Sequence, residues 1–404
     1  MLLWPILTRS RVARAKPPEK NRGFENRESK VEDGRSNDSD SRSSIFVLWS
    51  LDPQFPILDP RPEREAILDY PLRFHPFLRP MVWGDRRLGD ILGKSLDSHQ
   101  PYGESWEVSD HALHQSQVAT GPLAGKTLRQ LMEQDSAALL GEAAPRYQRF
   151  PWLIKFLDAH DWLSVQVHPD EQAVARLWPG EGSKTEAWFI IDADRGSRIY
   201  AGLRPGIDEK KIRDVLTAGK VLDCLHSFEP QSGDCVFLPA GTVHAVGGGV
   251  LFAEIQQTSD ATFRLFDWNR RDAHGKSRPL HIEESLASIH WDQGPVGPMH
   301  VAGFKKESTL QPLTQRGSAV APKRQDLVRC PFFELTYMSA GEPIPFGGIG
   351  RLQALVILQG RGHWQDSACS EEVKLGQVWV LPASLPRLEC RPEPNLTMLL
   401  CTLP

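Results

Sequence analysis

The chain lacks any run of about 18 consecutive apolar residues, so no segment is long enough to cross a bilayer as a helix. Cysteine is sparse. The six residues Cys224, Cys235, Cys330, Cys369, Cys390 and Cys401 are scattered over 404 positions with no C-x-x-C pair. That spacing argues against a disulfide scaffold and against a thiolate zinc finger, and it points to reduced, mostly buried thiols in a cytoplasmic protein. Charge of one sign is also missing, since 47 basic and 51 acidic residues leave a formal net charge of -4. No global field recommends nucleic acid or a membrane surface as the partner, and basic residues that matter must act locally. The opening "MLLWPIL" is shorter than a secretory apolar core and runs into "TRSRVARAK" without a small-residue cleavage site, so it is not read as a signal peptide.

What the chain has instead is turns. With 32 prolines and 32 glycines bounding many short Val/Ile/Leu/Phe runs, the pattern predicts a mainly β protein. Residues 1–69 form an N-terminal extension: positions 9 to 44 are dense in charge, Ser and Asn, too poor in large apolar side chains to offset ordering entropy, and are expected to be disordered. From Tyr70 strand-like alternation begins. Strands are predicted in "PWLIKFLDA", "LSVQVHP", "EAWFIIDA", "RIYAGL", "CVFLPA" and "GVLFAEIQQ". Helical spacing appears over 126–142, where Leu128, Leu131, Met132 and Leu139 form a stripe, and again over 207–220.

A gapless internal match places "SGDCVFLPAGTVHAV" (232–246) on "LGQVWVLPASLPRLE" (375–389). A glycine turn, a short apolar strand and Leu-Pro-Ala suit one corner of a small antiparallel jelly roll. The fold expected is therefore two cupin-like jelly-roll barrels with a few helices, over 70–314 and 315–404. His244 of the first copy aligns with Arg387 of the second, and His363 is the only histidine of the second, so only the first is expected to hold a metal.

If "SVQVHPD" is extended, Ser164, Gln166 and His168 share one face. With Glu186 of "GSKTEAWF" and His244 of "PAGTVHAV" they offer two imidazoles, a carboxylate and an amide oxygen, a set suited to Zn²⁺ or a similar first-row ion. Taken singly, each has an ordinary structural role: His168 can stabilise the turn, His244 can be a satisfied barrel histidine, and Glu186 can pair with Lys184. Together they fall at strand ends of one predicted barrel, where ligand sites are built. Lys155 lies inside an apolar strand, where its charge needs a partner or a ligand. Arg264 carries the planar fork that matches phosphate or carboxylate, although for it and for Lys184 a surface ion pair is the simpler reading.

The stretches "GESWEVSD" (103–110), "LIKFLDAHDWLSVQVHPDE" (153–171), "GSKTEAWFIIDA" (182–193), "FLPAGTVHAVGGGVLFAEIQQTSDATFRLFDWNR" (237–270) and "GKSRPLHIEE" (275–284) resemble, in order, those of the type I mannose-6-phosphate isomerases. The resemblance runs from about Pro71 to the end and is much more specific than the ligand spacing. It implies a zinc enzyme of the cupin superfamily, short bacterial form, that interconverts mannose 6-phosphate and fructose 6-phosphate through an enediolate. It places one Zn²⁺ per chain on Gln166, His168, Glu186 and His244. It puts Ser164 and Lys184 near the substrate, and Asp260 and Arg264 at the reaction centre; Lys155, selected for its place in an apolar strand, is expected to bind substrate as well. Lys184 is the first candidate for the general base, with Asp260, another histidine or a metal-bound water as rivals. The partner implied is a small sugar phosphate, with no nucleic acid, no membrane and a monomeric state. The extension before Tyr70 has no counterpart in the resemblance. Another metal-dependent cupin enzyme and a non-catalytic sugar-phosphate sensor remain the alternatives.

Overall fold

Why the strands lie where they do follows from two-sided burial: "WLIKFLDA" places Ile154 and Phe156 on one face and Leu157 and Ala159 on the other, each in a different apolar core. The structure, a computed structural model, describes residues 68–97, 99–271, 275–304, 322–365 and 371–404. These fall in one compact unit, Arg61–Pro404. The expectations for residues 1–67 and for Cys369 lie outside the described residues.

The central layer is a seven-stranded antiparallel sheet in the order Met299–His300, Asp234–Leu238, Glu186–Ala193, Val250–Gln257, Trp152–Ala159, Tyr102–Val108 and Phe77–Asp85. Facing it is a five-stranded sheet in the order Leu225–Phe228, Arg198–Leu203, His244–Gly247, Val165–Val167 and Phe263–Phe266. Between them Leu157, Trp188, Ile190 and Phe252 pack on Ile199, Ala201 and Val246. Toward one end this filling gives way to polar side chains, and the site lies there. Among the described residues no ladder joins the two sheets, so the jelly roll is a pair of facing sheets rather than a closed barrel.

The outer face of the five-stranded sheet is covered by the helices Glu209–Leu216 and Ile282–Ser288, which set Ile212 and Leu286 against Val165, Val167 and Leu265. The back of the seven-stranded sheet shares one core with a C-terminal sheet of eight strands. That sheet is built on two long strands, Gln353–Gln365 and Leu388–Thr402, and takes in Leu72–Arg73 from the other end of the chain. The protein is thus mainly β with a few helices, as the spacing of turns predicts.

Each copy of the internal match forms a strand, a proline turn and a second strand, though the first copy's strands lie in two different sheets and the second copy's in one. Asp234–Leu238 turns through Pro239 into His244–Gly247, and Val378–Leu381 turns through Pro382 into Leu388–Thr402. His244 opens its strand inside the core, whereas Arg387 is exposed.

The predicted helix over 126–142 is Leu128–Leu140, entered through a capping box of Thr127 and Gln130 and bent at Asp135, whose φ of -156° is not helical. The second is Glu209–Leu216, capped by Asp208. Three helices were not read from the sequence, the short Arg87–Asp90 among them. In Glu171–Leu177 the Pro-Asp pair that looks like a turn signal is a helix entry, with Asp170 accepting from Ala173 N at 2.7 Å. Ile282–Ser288 has no side-chain cap to announce it. No described helix is long and apolar enough to cross a membrane. The five described cysteines are unpaired, and four of them are buried.

Candidate active site

Antiparallel register brings the ligand-type residues together. Gln166 lies directly opposite His244 in the five-stranded sheet, His168 follows two residues later, and Glu186 opens the facing strand of the seven-stranded sheet. His168 Nε2 is 3.4 Å from Glu186 Oε2, and His244 Nε2 is 3.3 Å from Glu186 Oε1. One ligand atom from each of the three residues lies within 4.8 Å of the others, so the group could hold a metal ion.

The imidazoles are fixed from behind. His168 Nδ1 lies 2.7 Å from the carbonyl of Ala261 and His244 Nδ1 lies 2.9 Å from that of Thr242, so each Nδ1–H donates outward and each Nε2 lone pair faces inward. Burial, reinforced by the Lys184 ammonium, lowers the His168 pKa, and burial pushes that of His244 down to about 3. Both rings are therefore neutral. Burial disfavours ionisation of Glu186, but the Lys184 ammonium outweighs it and holds the carboxyl well below the usual range. His168 Nε2 and Glu186 Oε1 are buried without a hydrogen bond, and Glu186 Oε2 is met by the Lys184 ammonium alone; the two unsatisfied atoms are an unusual condition unless a cation completes them. Two neutral nitrogens and one carboxylate fit a divalent first-row ion. Gln166 is adjacent: its Nε2 is 3.3 Å from His244 Nε2, while its Oε1 accepts from Ser164 Oγ at 3.1 Å.

A cavity opens from this cluster, lined by Ser164, Gln166, Lys184, Lys155, Asp260 and Arg264, the other residues selected in the sequence. Lys155 and Lys184 are buried, so neither makes a surface ion pair. Lys184 Nζ lies 2.9 Å from Glu186 Oε2 and 3.9 Å from Glu254 Oε1. Burial would lower its pKa, yet Glu186, Glu254 and Asp260 raise it above that of an ordinary lysine. Asp260 is kept ionised against its burial by Lys155, Lys184 and Arg79.

Four charged residues of the cavity were missed in the sequence: Glu254, Arg79, Glu104 and Arg278. Glu254 is the most consequential. Its Oε2 accepts from Trp188 Nε1 at 3.1 Å, its Oε1 has no hydrogen bond, and burial first and the Glu186 charge second raise its pKa. Its sequence signal was a lone carboxylate in the apolar run "GVLFAEIQQ", the same kind of anomaly that marked Lys155. Arg278 is held by Asp267 through two hydrogen bonds of 2.8 and 2.6 Å. Its charge, after burial, lowers the pKa of Arg264, whose guanidinium has no hydrogen bond or ion pair among the described residues. Two guanidiniums thus face one cavity, and an anionic ligand would relieve their repulsion.

The family profile for the type I phosphomannose isomerase catalytic domain matches residues 72–188. The mannose-6-phosphate isomerase ManA of Bacillus subtilis is 31% identical over 320 residues, 78% of this chain and 94% of that protein. The probable mannose-6-phosphate isomerase GmuF of the same organism is 38% identical over 222 residues, 55% of this chain and 69% of that protein. Among solved structures, the mannose 6-phosphate isomerase from Bacillus subtilis superposes with a TM-score of 0.70 at 28% identity, covering 82% of this chain and 99% of that one.

Proposed function

The chain belongs to the type I mannose-6-phosphate isomerases, and from that premise we propose that it interconverts mannose 6-phosphate and fructose 6-phosphate through an enediolate, with Zn²⁺ held by His168, Glu186, His244 and Gln166. The observation that carries the reading is the buried group of inward-facing ligand atoms of His168, Glu186 and His244, set beside a cavity lined by lysine, arginine and carboxylate side chains. When bound, the metal supplies Lewis acidity toward the sugar oxygens. A half-turn of the Gln166 amide exchanges its oxygen with the nitrogen that now faces His244, giving the fourth ligand.

The remaining steps belong to this chain's side chains. Aldose-ketose isomerisation removes a proton from C2 and returns it to C1, and passes the O2 hydroxyl proton to O1, while negative charge develops on the sugar oxygens in between. Glu254 Oε1, buried and facing the cavity, is placed to carry that proton from carbon to carbon. Lys184 donates hydrogen bonds to the oxygens as an ammonium, and Asp260 helps to hold that charge. Arg264, with no protein partner, stabilises negative charge on the substrate, and Ser164 and Arg278 form the phosphate end of the cavity. Lys155 anchors the sugar side through its pairing with Glu254.

A coupled assay of mannose 6-phosphate turnover tests this reading before chelation, after it and with zinc restored. Activity lost to the chelator and recovered with zinc is the result expected. Zinc-loaded protein that binds mannose 6-phosphate without turning it over would replace the isomerase reading by that of a sensor.

A further inference from the structure

Four residues stand directly opposite one another across adjacent strands of the central sheet: Trp106 faces Lys155, Lys155 faces Glu254, and Glu254 faces Trp188. Directly paired residues project to the same face, so the row forms one wall, with an ion pair between two indoles. Each indole does something different. Trp106 presents its π face to Lys155, whose Nζ is 4.9 Å from the ring centroid. Trp188 donates its N–H to Glu254 Oε2 at 3.1 Å.

The Trp188 contact decides how the carboxylate is presented. Bound at Oε2, Glu254 turns its other oxygen, Oε1, toward Lys155 at 3.4 Å and Lys184 at 3.9 Å, and that oxygen has no hydrogen bond. Trp188 itself has little freedom: it is 1% exposed, tilts against Phe252 with centroids 4.9 Å apart, and meets the ring of His244 edge-on at 5.4 Å. A buried carboxylate with one fixed and one free oxygen is held to a single rotamer. Without the N–H it can turn Oε2 toward the lysines and withdraw Oε1.

We propose that Trp188 is a positioning residue for the isomerisation, its indole N–H pinning Glu254 Oε2 so that Oε1 is delivered to the substrate carbon. The inference rests on the assignment of Glu254 as proton carrier. A residue that only packed the core would affect stability and metal retention but not the chemical step.

The test is Trp188→Phe, which keeps an aromatic ring against Phe252 and His244 and deletes the donor, made alone and together with Glu254→Gln in the zinc-loaded full chain. A hydrogen bond to a charged acceptor is worth about 1.5–3 kcal/mol, so kcat should fall by about ten- to a hundredfold while KM and zinc content stay within about twofold. In the Glu254→Gln background the same substitution should add little, because the carboxylate it positions is gone. An equal loss in both backgrounds, or full turnover in Trp188→Phe, overturns the proposal. Should Trp188→Phe lose zinc or fail to fold, incorporation of benzothienylalanine at 188, which has the shape of tryptophan without the N–H, decides between the same outcomes. Full turnover in Glu254→Gln alone would instead remove Glu254 from the mechanism, and the inference would fall with its premise.

Discussion

Lys155 and Glu254 face each other across neighbouring strands, both almost wholly buried, with Nζ 3.4 Å from Oε1. Each is an anomaly in an apolar strand, and each supplies what the other needs. Removing one partner of a buried pair leaves an uncompensated charge, at about 3–5 kcal/mol. Lys155→Met should therefore lower stability by that order and reduce turnover, and adding Glu254→Gln should restore much of the stability but none of the activity. Urea midpoints and kcat on the three variants check this; a double variant no more stable than Lys155→Met would show that the two side chains are not energetically paired.

Glu186 is the only carboxylate in the proposed ligand set, and it contacts both imidazoles. Glu186→Gln would replace the proposed anionic ligand by a neutral one and should leave less than about a tenth of the zinc bound after dialysis, where the parent should retain one equivalent. It should also lower stability by about 3–5 kcal/mol, because it leaves the buried Lys184 ammonium without its partner 2.9 Å away. Metal analysis beside a thermal melt separates the two effects. Retention of a full equivalent would remove Glu186 from the ligand set.

Asp158 has a pH signature of its own, away from the metal. It lies on the central sheet, fully buried, with Oδ2 accepting from Arg87 N at 2.9 Å and Oδ1 without a partner. Burial raises its pKa from 3.8 to about 6, against the opposing pull of Arg87 and His160 and with a small push from Asp85. Because the folded value exceeds the unfolded one, the favourable contribution is complete below pH 3.8 and is lost as pH rises through about 6. The loss amounts to about 3 kcal/mol. Asp158→Asn should gain on the parent by up to that amount between pH 4 and pH 7.5, as read from urea midpoints at the two values. A constant difference would show that Asp158 does not titrate in this window.

How much of this was legible in the sequence depends on what each residue needed in order to be understood. The strands Glu186–Ala193 and Arg198–Leu203 were readable because their runs are bounded by turn residues on both sides. Helix Glu171–Leu177 was not, because Asp170 serves equally as a turn residue and as an N-cap, and only the following backbone distinguishes them. The metal-type residues could be selected by donor chemistry, and the structure brings them together. Glu254 could not be selected in that way. Its significance lies in the register that sets it opposite Lys155 and Trp188, and register is a property of strand pairs rather than of one strand.

Gly103, in the stretch "GESWEVSD", exposes the same limit and gives a direct test of the cavity wall. The edge strand bulges between Pro80 and Asp85, both of which pair with Tyr102, and the extra residues lay Met81 and Trp83 into the cavity. A Cβ on Gly103 would stand 2.5 Å from the Trp83 ring and 2.6 Å from Met81 Cβ. The bulge therefore lies flat because position 103 has no side chain. Gly103→Ala must push both residues away, with an overpacking penalty of about 1–3 kcal/mol. If they wall the substrate cavity, KM for mannose 6-phosphate should rise several-fold while zinc content is unchanged, since Gln166, Glu186 and His244 lie on other strands and His168 just past one. A lower melting temperature with an unaltered KM would mean that the bulge stabilises the sheet edge without shaping the substrate cavity.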